Sequence, residues 1–203
     1  MDSSLTRGLY RDITDLADSS PSWVQTLAEI GTEAGIVVFA ALFVAVWWRA
    51  RRGSPAELAI AVLGGLGTAV GYVVSESLKT VFDEERPCRA VADAAASLAA
   101  CPPTGDWSFP SNHSAIAGGA AVALALARPR LVWLTAPLAL LMAFSRVFVG
   151  VHYPHDVAVG LVVGAVVAAV VTIALTGVGT TLAGTVRTSR SRPVAWLAGP
   201  GRD

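Results

Sequence analysis

The chain has 203 residues, 54% of them hydrophobic and only 15% charged, a composition too apolar for an ordinary soluble domain of this length. Its 15 basic and 15 acidic residues cancel, which leaves no global basic surface for nucleic acid and no acidic excess of the kind that keeps a chain disordered. Any electrostatics that matter must be local.

Residues 1–29 are polar and mixed in charge, without the basic start, apolar run and small-residue cleavage site of a signal peptide, so this segment is expected to be retained. Within it Leu5, Leu9, Ile13 and Leu16 recur at helical spacing. That pattern reads either as an amphipathic helix lying on the outer leaflet or as a frayed polar terminus.

Five stretches then approach the roughly 17–25 apolar residues that a membrane helix needs. They are residues 30–48, 58–74, 111–127, 131–149 and 157–175. Glu33 interrupts the first, and the third is apolar only from Ala115. Trp47, Trp48, Trp107 and Trp133 sit near span ends, where indole rings favour the headgroup region. Residues 179–203, with their arginines and prolines, read as a flexible tail. The expected fold is therefore an all-α membrane protein, a bundle of about five transmembrane helices in residues 30–178 plus an N-terminal amphipathic or sixth helix.

Arginines set the orientation, because cytoplasmic loops retain positive charge. Arg49, Arg51 and Arg52 follow the first span, Arg128 and Arg130 separate the third from the fourth, and Arg187, Arg190, Arg192 and Arg202 lie in the tail. Five alternating spans put all of these on one side. That side is expected to be the cytoplasm, with the N-terminus outside.

The chemistry-bearing residues fall on the opposite face. The single lysine, Lys79, and Arg86 follow the second span, His113 opens the third, and Arg146, His152 and Asp156 lie around the turn between the fourth and fifth. Three cations around two histidines suit a phosphate, which needs several converging donors. Ser111 can cap the third span, leaving the backbone N–H groups of Asn112, His113 and Ser114 free to meet an anion.

His152 and Asp156 are four residues apart on an expected first helical turn, where Pro154 is tolerated. A carboxylate so placed fixes the imidazole tautomer and leaves the other nitrogen free to attack phosphorus. His113 can then protonate the leaving oxygen and later deprotonate water. His155 has no role in this scheme and is assigned to the surface or the substrate rim. A divalent metal is disfavoured by the surrounding cations. Asp83, Glu84 and Glu85 read as a solvated loop, and no cofactor is expected.

Residues 79–87 fit Lys-x6-Arg-Pro, residues 110–113 read Pro-Ser-Asn-His, and residues 145–156 fit Ser-Arg-x5-His-x3-Asp. In this order and spacing the chain resembles the type 2 phosphatidic acid phosphatase superfamily, which includes membrane lipid phosphatases and soluble vanadium haloperoxidases. The resemblance implies a metal-independent phosphatase in which His152 becomes phosphohistidine, Asp156 orients it and His113 is the general acid and base. It implies phosphate binding by Lys79, Arg86, Ser111, Asn112 and Arg146. Where the family has glycine this chain has Asn112, the non-glycine residue that best tolerates positive φ, so the pocket is expected to survive. The Pro-Ser-Asn-His string is similar to that of undecaprenyl-diphosphate phosphatases of the bacitracin-resistance type.

Cys88 and Cys101, the only two cysteines, share the loop assigned to the outer face, where a disulfide is a reasonable expectation and two free thiols are the alternative. The leading expectation is removal of the terminal phosphate of a polyprenyl diphosphate in the membrane, without nucleic acid. Phosphatidic acid, phosphatidylglycerol phosphate or a polyprenyl-linked sugar phosphate are alternative substrates. A non-enzymatic lipid-binding or transport protein is the alternative of another class; it would not require a nucleophile with an orienting carboxylate.

Overall fold

The computed structural model describes residues 4–200. Helix α1 (Ser4–Ser19) is followed by α2 (Ser22–Ala50), α3 (Pro55–Phe82), the one-turn α4 (Pro87–Ala90), α5 (Asn112–Ala127), α6 (Val132–Phe148), α7 (Pro154–Arg187) and the short α8 (Arg192–Ala198). Among the described residues every regular element is helical. Helices α2, α3, α6 and α7 are long and apolar enough to cross a membrane, and α5 is a shorter apolar helix. This is the fold of a multi-pass membrane protein.

Local chemistry sets the helix ends. Ser54 caps α3 by accepting from Glu57 N at 3.2 Å, while Glu57 Oε2 accepts from Ser54 N at 2.8 Å, and Pro55 supplies a first turn that needs no donor. Asp83 ends α3 in the left-handed region, with φ 45°, a conformation that aspartate tolerates better than most residues. The chain can then turn sharply toward Arg86.

The core of the bundle is α3, α5 and α7, brought together by small residues. A Cβ on Gly164 would lie 1.8 Å from the Ala115 carbonyl oxygen, so only glycine allows α7 to approach α5 this closely. One turn nearer the start of α7, a Cβ on Gly160 would lie 2.4 Å from the Ser111 carbonyl oxygen. This second contact fixes the start of α5 against the start of α7, the two places that carry His113 and His152.

The N-terminal segment forms the helix that one of its two readings expected, but the helix bounds and faces at both ends of the sequence differ from expectation. Helix α2 begins at Ser22, ahead of the anticipated start at residue 30, because nothing after Pro21 breaks the helix. In α1 the buried face is Tyr10, Thr14 and Ala17, with Tyr10 Oη donating to the Gly150 carbonyl at 2.9 Å. Leu9 and Leu16 remain exposed on another face, and the Leu5 side chain lies outside the described residues.

The tail is not irregular. Helix α7 continues to Arg187, and α8 folds back so that Trp196, with Trp47 and Trp48, surrounds the Arg51 guanidinium at 4.4 to 5.2 Å from the ring centres. Cation–π contact and a bond from Arg51 to the Trp196 carbonyl hold this segment where its arginines alone gave no reason for order. Arg202 lies outside the described residues.

Candidate active site

Three sequence segments meet at one end of the bundle. Lys79 comes from the last turn of α3, Arg86 caps α4, Ser111, Asn112 and His113 start α5, Arg146 ends α6, and His152 and Asp156 flank the start of α7. Lys79, Arg86, Ser111, Arg146, His152 and Asp156 are all buried, a costly arrangement for so many polar and ionisable groups unless they are paired.

His152 lies in the turn between α6 and α7, with its two ring nitrogens facing different partners. Nδ1 is 3.3 Å from Asp156 Oδ2, and Nε2 is 3.1 Å from Arg86 Nη1. A guanidinium only donates, so Nε2 must accept and the ring proton must sit on Nδ1, toward Asp156. Burial first, then Arg86, Arg146, Lys79 and His113, hold the His152 pKa well below its ordinary value of 6.5. The imidazole is neutral, with its lone pair on the side of the cations.

Asp156 is fully enclosed and held from several directions. Its Oδ2 accepts from Tyr153 N at 2.8 Å and from Ser108 Oγ at 2.5 Å. Ser108 Oγ is also 3.4 Å from His152 Nδ1, so one hydroxyl touches both members of the pair. The Asp156 carbonyl accepts from Ser111 N at 3.1 Å, tying the start of α7 to the cap of α5.

The cations are occupied by carboxylates. Asp106 Oδ1 lies 3.0 Å from Lys79 Nζ and 2.9 Å from Arg86 Nη2, and the Asp106 carbonyl accepts from Arg86 Nε at 2.8 Å. Partial burial would raise the Asp106 pKa, but bonds and charge from Arg86 and Lys79 outweigh it and leave the carboxyl below its usual 3.8. Glu33 Oε1 accepts from His113 Nε2 at 3.1 Å and lies 3.6 Å from Arg146 Nη1, which also donates to Thr32 Oγ1 at 3.1 Å. Lys79 and Arg86 thus share one carboxylate, and His113 and Arg146 share another.

Ser111 caps α5 as the sequence implies, but its Oγ accepts from Ser114 N at 3.4 Å, so that N–H is taken by the cap and is not free for an anion. Asn112 needs no unusual backbone. Among the described residues the only non-glycine with positive φ is Asp83, and Asn112 is an ordinary helical residue whose side chain accepts from Ser75 Oγ at 2.7 Å and donates to Glu76. The tolerance argument for asparagine in place of glycine is therefore replaced by a side-chain link to α3.

His155 is half-buried and held on several sides. Its ring lies between Phe109 and Tyr153, stacked on Tyr153 with centroids 5.3 Å apart, and its Nε2 sits 3.1 Å from Glu84 Oε2 and 3.2 Å from Asp156 Oδ1. Glu84, beside this half-buried ring, is itself buried, so this part of the loop is not simply solvated. Ligand atoms of Glu84, His155 and Asp156 lie within 4.8 Å of one another, a set that could hold a metal ion, and a protonated His155 offsets only one of the two carboxylate charges.

Cys88 and Cys101 are joined, with Cα atoms 6.0 Å apart, in the loop that delivers Asp106 and Ser108. Glu33, Thr32, Asp106 and Ser108 were not assigned to the site from the sequence. Glu33 carried a usable signal, an acid inside an otherwise apolar span. Asp106 and Ser108 carried none, because they lie in a loop without periodicity and reach the site only through its path.

Residues 60–180 match the family model of the PAP2 superfamily. The chain belongs to this superfamily. It is 33% identical over 132 residues to the undecaprenyl-diphosphatase BcrC of Bacillus subtilis, an alignment covering 65% of each protein. It is also 35% identical over 102 residues to the decaprenylphosphoryl-5-phosphoribose phosphatase of Mycobacterium tuberculosis, covering 49% of this chain and 52% of that relative. The chain thus spans less than two thirds of the length of these curated relatives. Among solved structures, Aquifex aeolicus LpxE superposes with a TM-score of 0.67 at 23% identity, covering 85% of this chain and 97% of that one. That likeness places this PAP2 chain in the same helical architecture.

Proposed function

We propose that this PAP2 protein is a membrane lipid phosphatase that removes the terminal phosphate of a polyprenyl diphosphate through a phosphohistidine intermediate. The observation that carries the reading is the His152 ring, buried and neutral, with Nδ1 directed at Asp156 and Nε2 directed at Arg86. A phosphoryl group entering between Arg86, Lys79 and Arg146 would meet that lone pair directly. Both curated relatives carry a polyprenyl group in their names, which supports the prenyl substrate class.

In the first step Nε2 of His152 attacks the terminal phosphorus while the bond to the bridging oxygen breaks. The departing polyprenyl phosphate takes a proton from His113. Asp156 stabilises the Nδ1 proton as the ring gains charge. Water then attacks the phosphohistidine, His113 takes its proton, and the P–N bond breaks to give inorganic phosphate and neutral His152. Lys79, Arg86, Arg146 and the start of α5 would stabilise charge on the transferring group.

The site would face the extracytoplasmic side, with the arginine-rich end of the bundle in the cytoplasm, in keeping with the positive-inside distribution. A second reading, a polyprenyl-linked sugar phosphate as substrate, is favoured by the mycobacterial relative.

Phosphate release by the purified chain from a panel of lipid phosphates, measured in chelator, tests both. The expected result is metal-independent release, fastest from polyprenyl diphosphate and abolished by His152→Ala. Undiminished release by that variant would refute the nucleophile, and preference for the sugar phosphate would select the second reading.

A further inference from the structure

At the end of the bundle opposite His152, the α2–α3 turn and the α5–α6 turn enclose a cleft of about 550 Å³. Trp48, Arg49, Arg52, Gly53, Glu57 and Arg128 line it. We propose that this cleft binds the phosphate-bearing headgroup of an anionic membrane phospholipid, independently of any catalysis at the other end.

Charge accounting makes the case. Glu57 is the only acid in the lining, and both its oxygens are used: Oε1 accepts from Arg128 Nη1 at 2.7 Å and Oε2 accepts from Ser54 N at 2.8 Å. Arg49 and Arg52 have no side-chain partner among the described residues and are exposed. The lining therefore carries two uncompensated guanidiniums beside a neutralised pair. Guanidiniums match phosphate oxygens in planar, two-pronged fashion, which suits a phosphodiester better than a diffuse counterion.

Arg51, in the same short run, is used differently. It is buried among Trp47, Trp48 and Trp196 and donates to a backbone carbonyl, so it orders the end of α2 and leaves its neighbours turned toward the cleft.

Depth decides between a lipid and a soluble anion. Trp48 is 45% exposed on the cleft wall, and Trp133, in the first turn of α6, is 85% exposed. Exposed indoles at the ends of apolar helices mark the headgroup level, where basic pockets between helices meet lipid phosphates.

The test uses the full chain purified in neutral detergent, with phosphatidylglycerol, phosphatidylcholine or inorganic phosphate added. Phosphatidylglycerol is expected to raise the unfolding midpoint by roughly 2–4 °C over phosphatidylcholine, as for about 1 kcal/mol of binding in a chain of this size. The double variant Arg49→Gln/Arg52→Gln should lose that increment, and Arg130→Gln/Arg190→Gln, with the same charge loss on exposed positions, should keep it. Equal loss in both variants, or an equal increment from inorganic phosphate, would overturn the proposal. In the unaltered chain, brominated phosphatidylglycerol should quench tryptophan emission more than brominated phosphatidylcholine, and Trp48→Phe should remove the excess. No excess quenching would also overturn it, whatever the stability of the arginine variants.

Discussion

Asp106 rests one carboxylate oxygen 2.9 Å from the Arg86 guanidinium, and the same oxygen lies 3.0 Å from Lys79 Nζ. These are two of the cations assigned to the substrate phosphate, so an internal carboxylate competes for their charge. Because Asp106 is 40% exposed, its hold is screened and worth about 1 kcal/mol or less. Asp106→Asn keeps the size and removes the charge. KM for the lipid phosphate and the inhibition constant for free phosphate should both fall, by up to about fivefold. A rise in KM would instead show that Asp106 positions Lys79 and Arg86 for binding.

Asp156 and Ser108 should separate by magnitude. Asp156→Asn leaves the shape but removes the negative charge that holds the proton on Nδ1 of His152 and stabilises the ring as it becomes charged, and turnover should fall by about 10³-fold or more. Ser108→Ala deletes one bond to a buried carboxylate that retains Tyr153 N and His152, and about tenfold is expected. Equal losses in the two variants would mean that Ser108 acts directly on the substrate. Steady-state kinetics on one lipid phosphate, with KM and kcat resolved, decides.

The pH dependence follows from the direction of the His152 shift. Burial and the surrounding cations lower its pKa, and only the neutral ring attacks, so the acid limb of kcat/KM should lie below pH 6.5. Lys79→Met removes one of those cations. The His152 pKa then rises, and activity is lost earlier on acidification. Stability moves with the same sign. Below about pH 6.5 the unfolded chain takes up the proton that native His152 refuses, so this group lowers stability as the pH falls toward its folded value. A Lys79→Met profile with an unmoved acid limb would contradict the electrostatic account.

Much of this site was legible before any fold was known, for a physical reason. Lys79, Arg86, Arg146, His113, His152 and Asp156 are ionisable groups at the ends of apolar stretches, where the membrane makes each one conspicuous. Helix existence followed from the same contrast, and Ser111 announced the start of α5. What stayed hidden depends on tertiary path. Asp106 and Ser108 come from a loop whose course follows from the closure at Cys88 and Cys101 and from the Ser108 N bond to the Glu84 carbonyl. Spacing could not show that the His155 ring meets Phe109 and Tyr153. Residues 179–187 simply continue α7, and the docking of α8 depends on three tryptophans meeting around Arg51, a contact between parts of the chain far apart in sequence.

Glu33 offers the sharpest division of the two chemical steps. Its Oε1 accepts from His113 Nε2 at 3.1 Å, so it orients the ring assigned to proton transfer while remaining 68% exposed itself. With an aryl phosphate, whose leaving group needs no proton, formation of phosphohistidine should not depend on His113. Hydrolysis of the intermediate still requires a base for water. In Glu33→Ala the first step should therefore keep its rate while the second slows by about tenfold, a fraction of what a positioned general base contributes. Radiolabelled phosphoenzyme should accumulate, more strongly in His113→Ala than in Glu33→Ala, and not at all in His152→Ala. If both steps slowed together in Glu33→Ala, the carboxylate would be acting through Arg146 on phosphate binding, and the variant would then show a raised KM with no trapped intermediate.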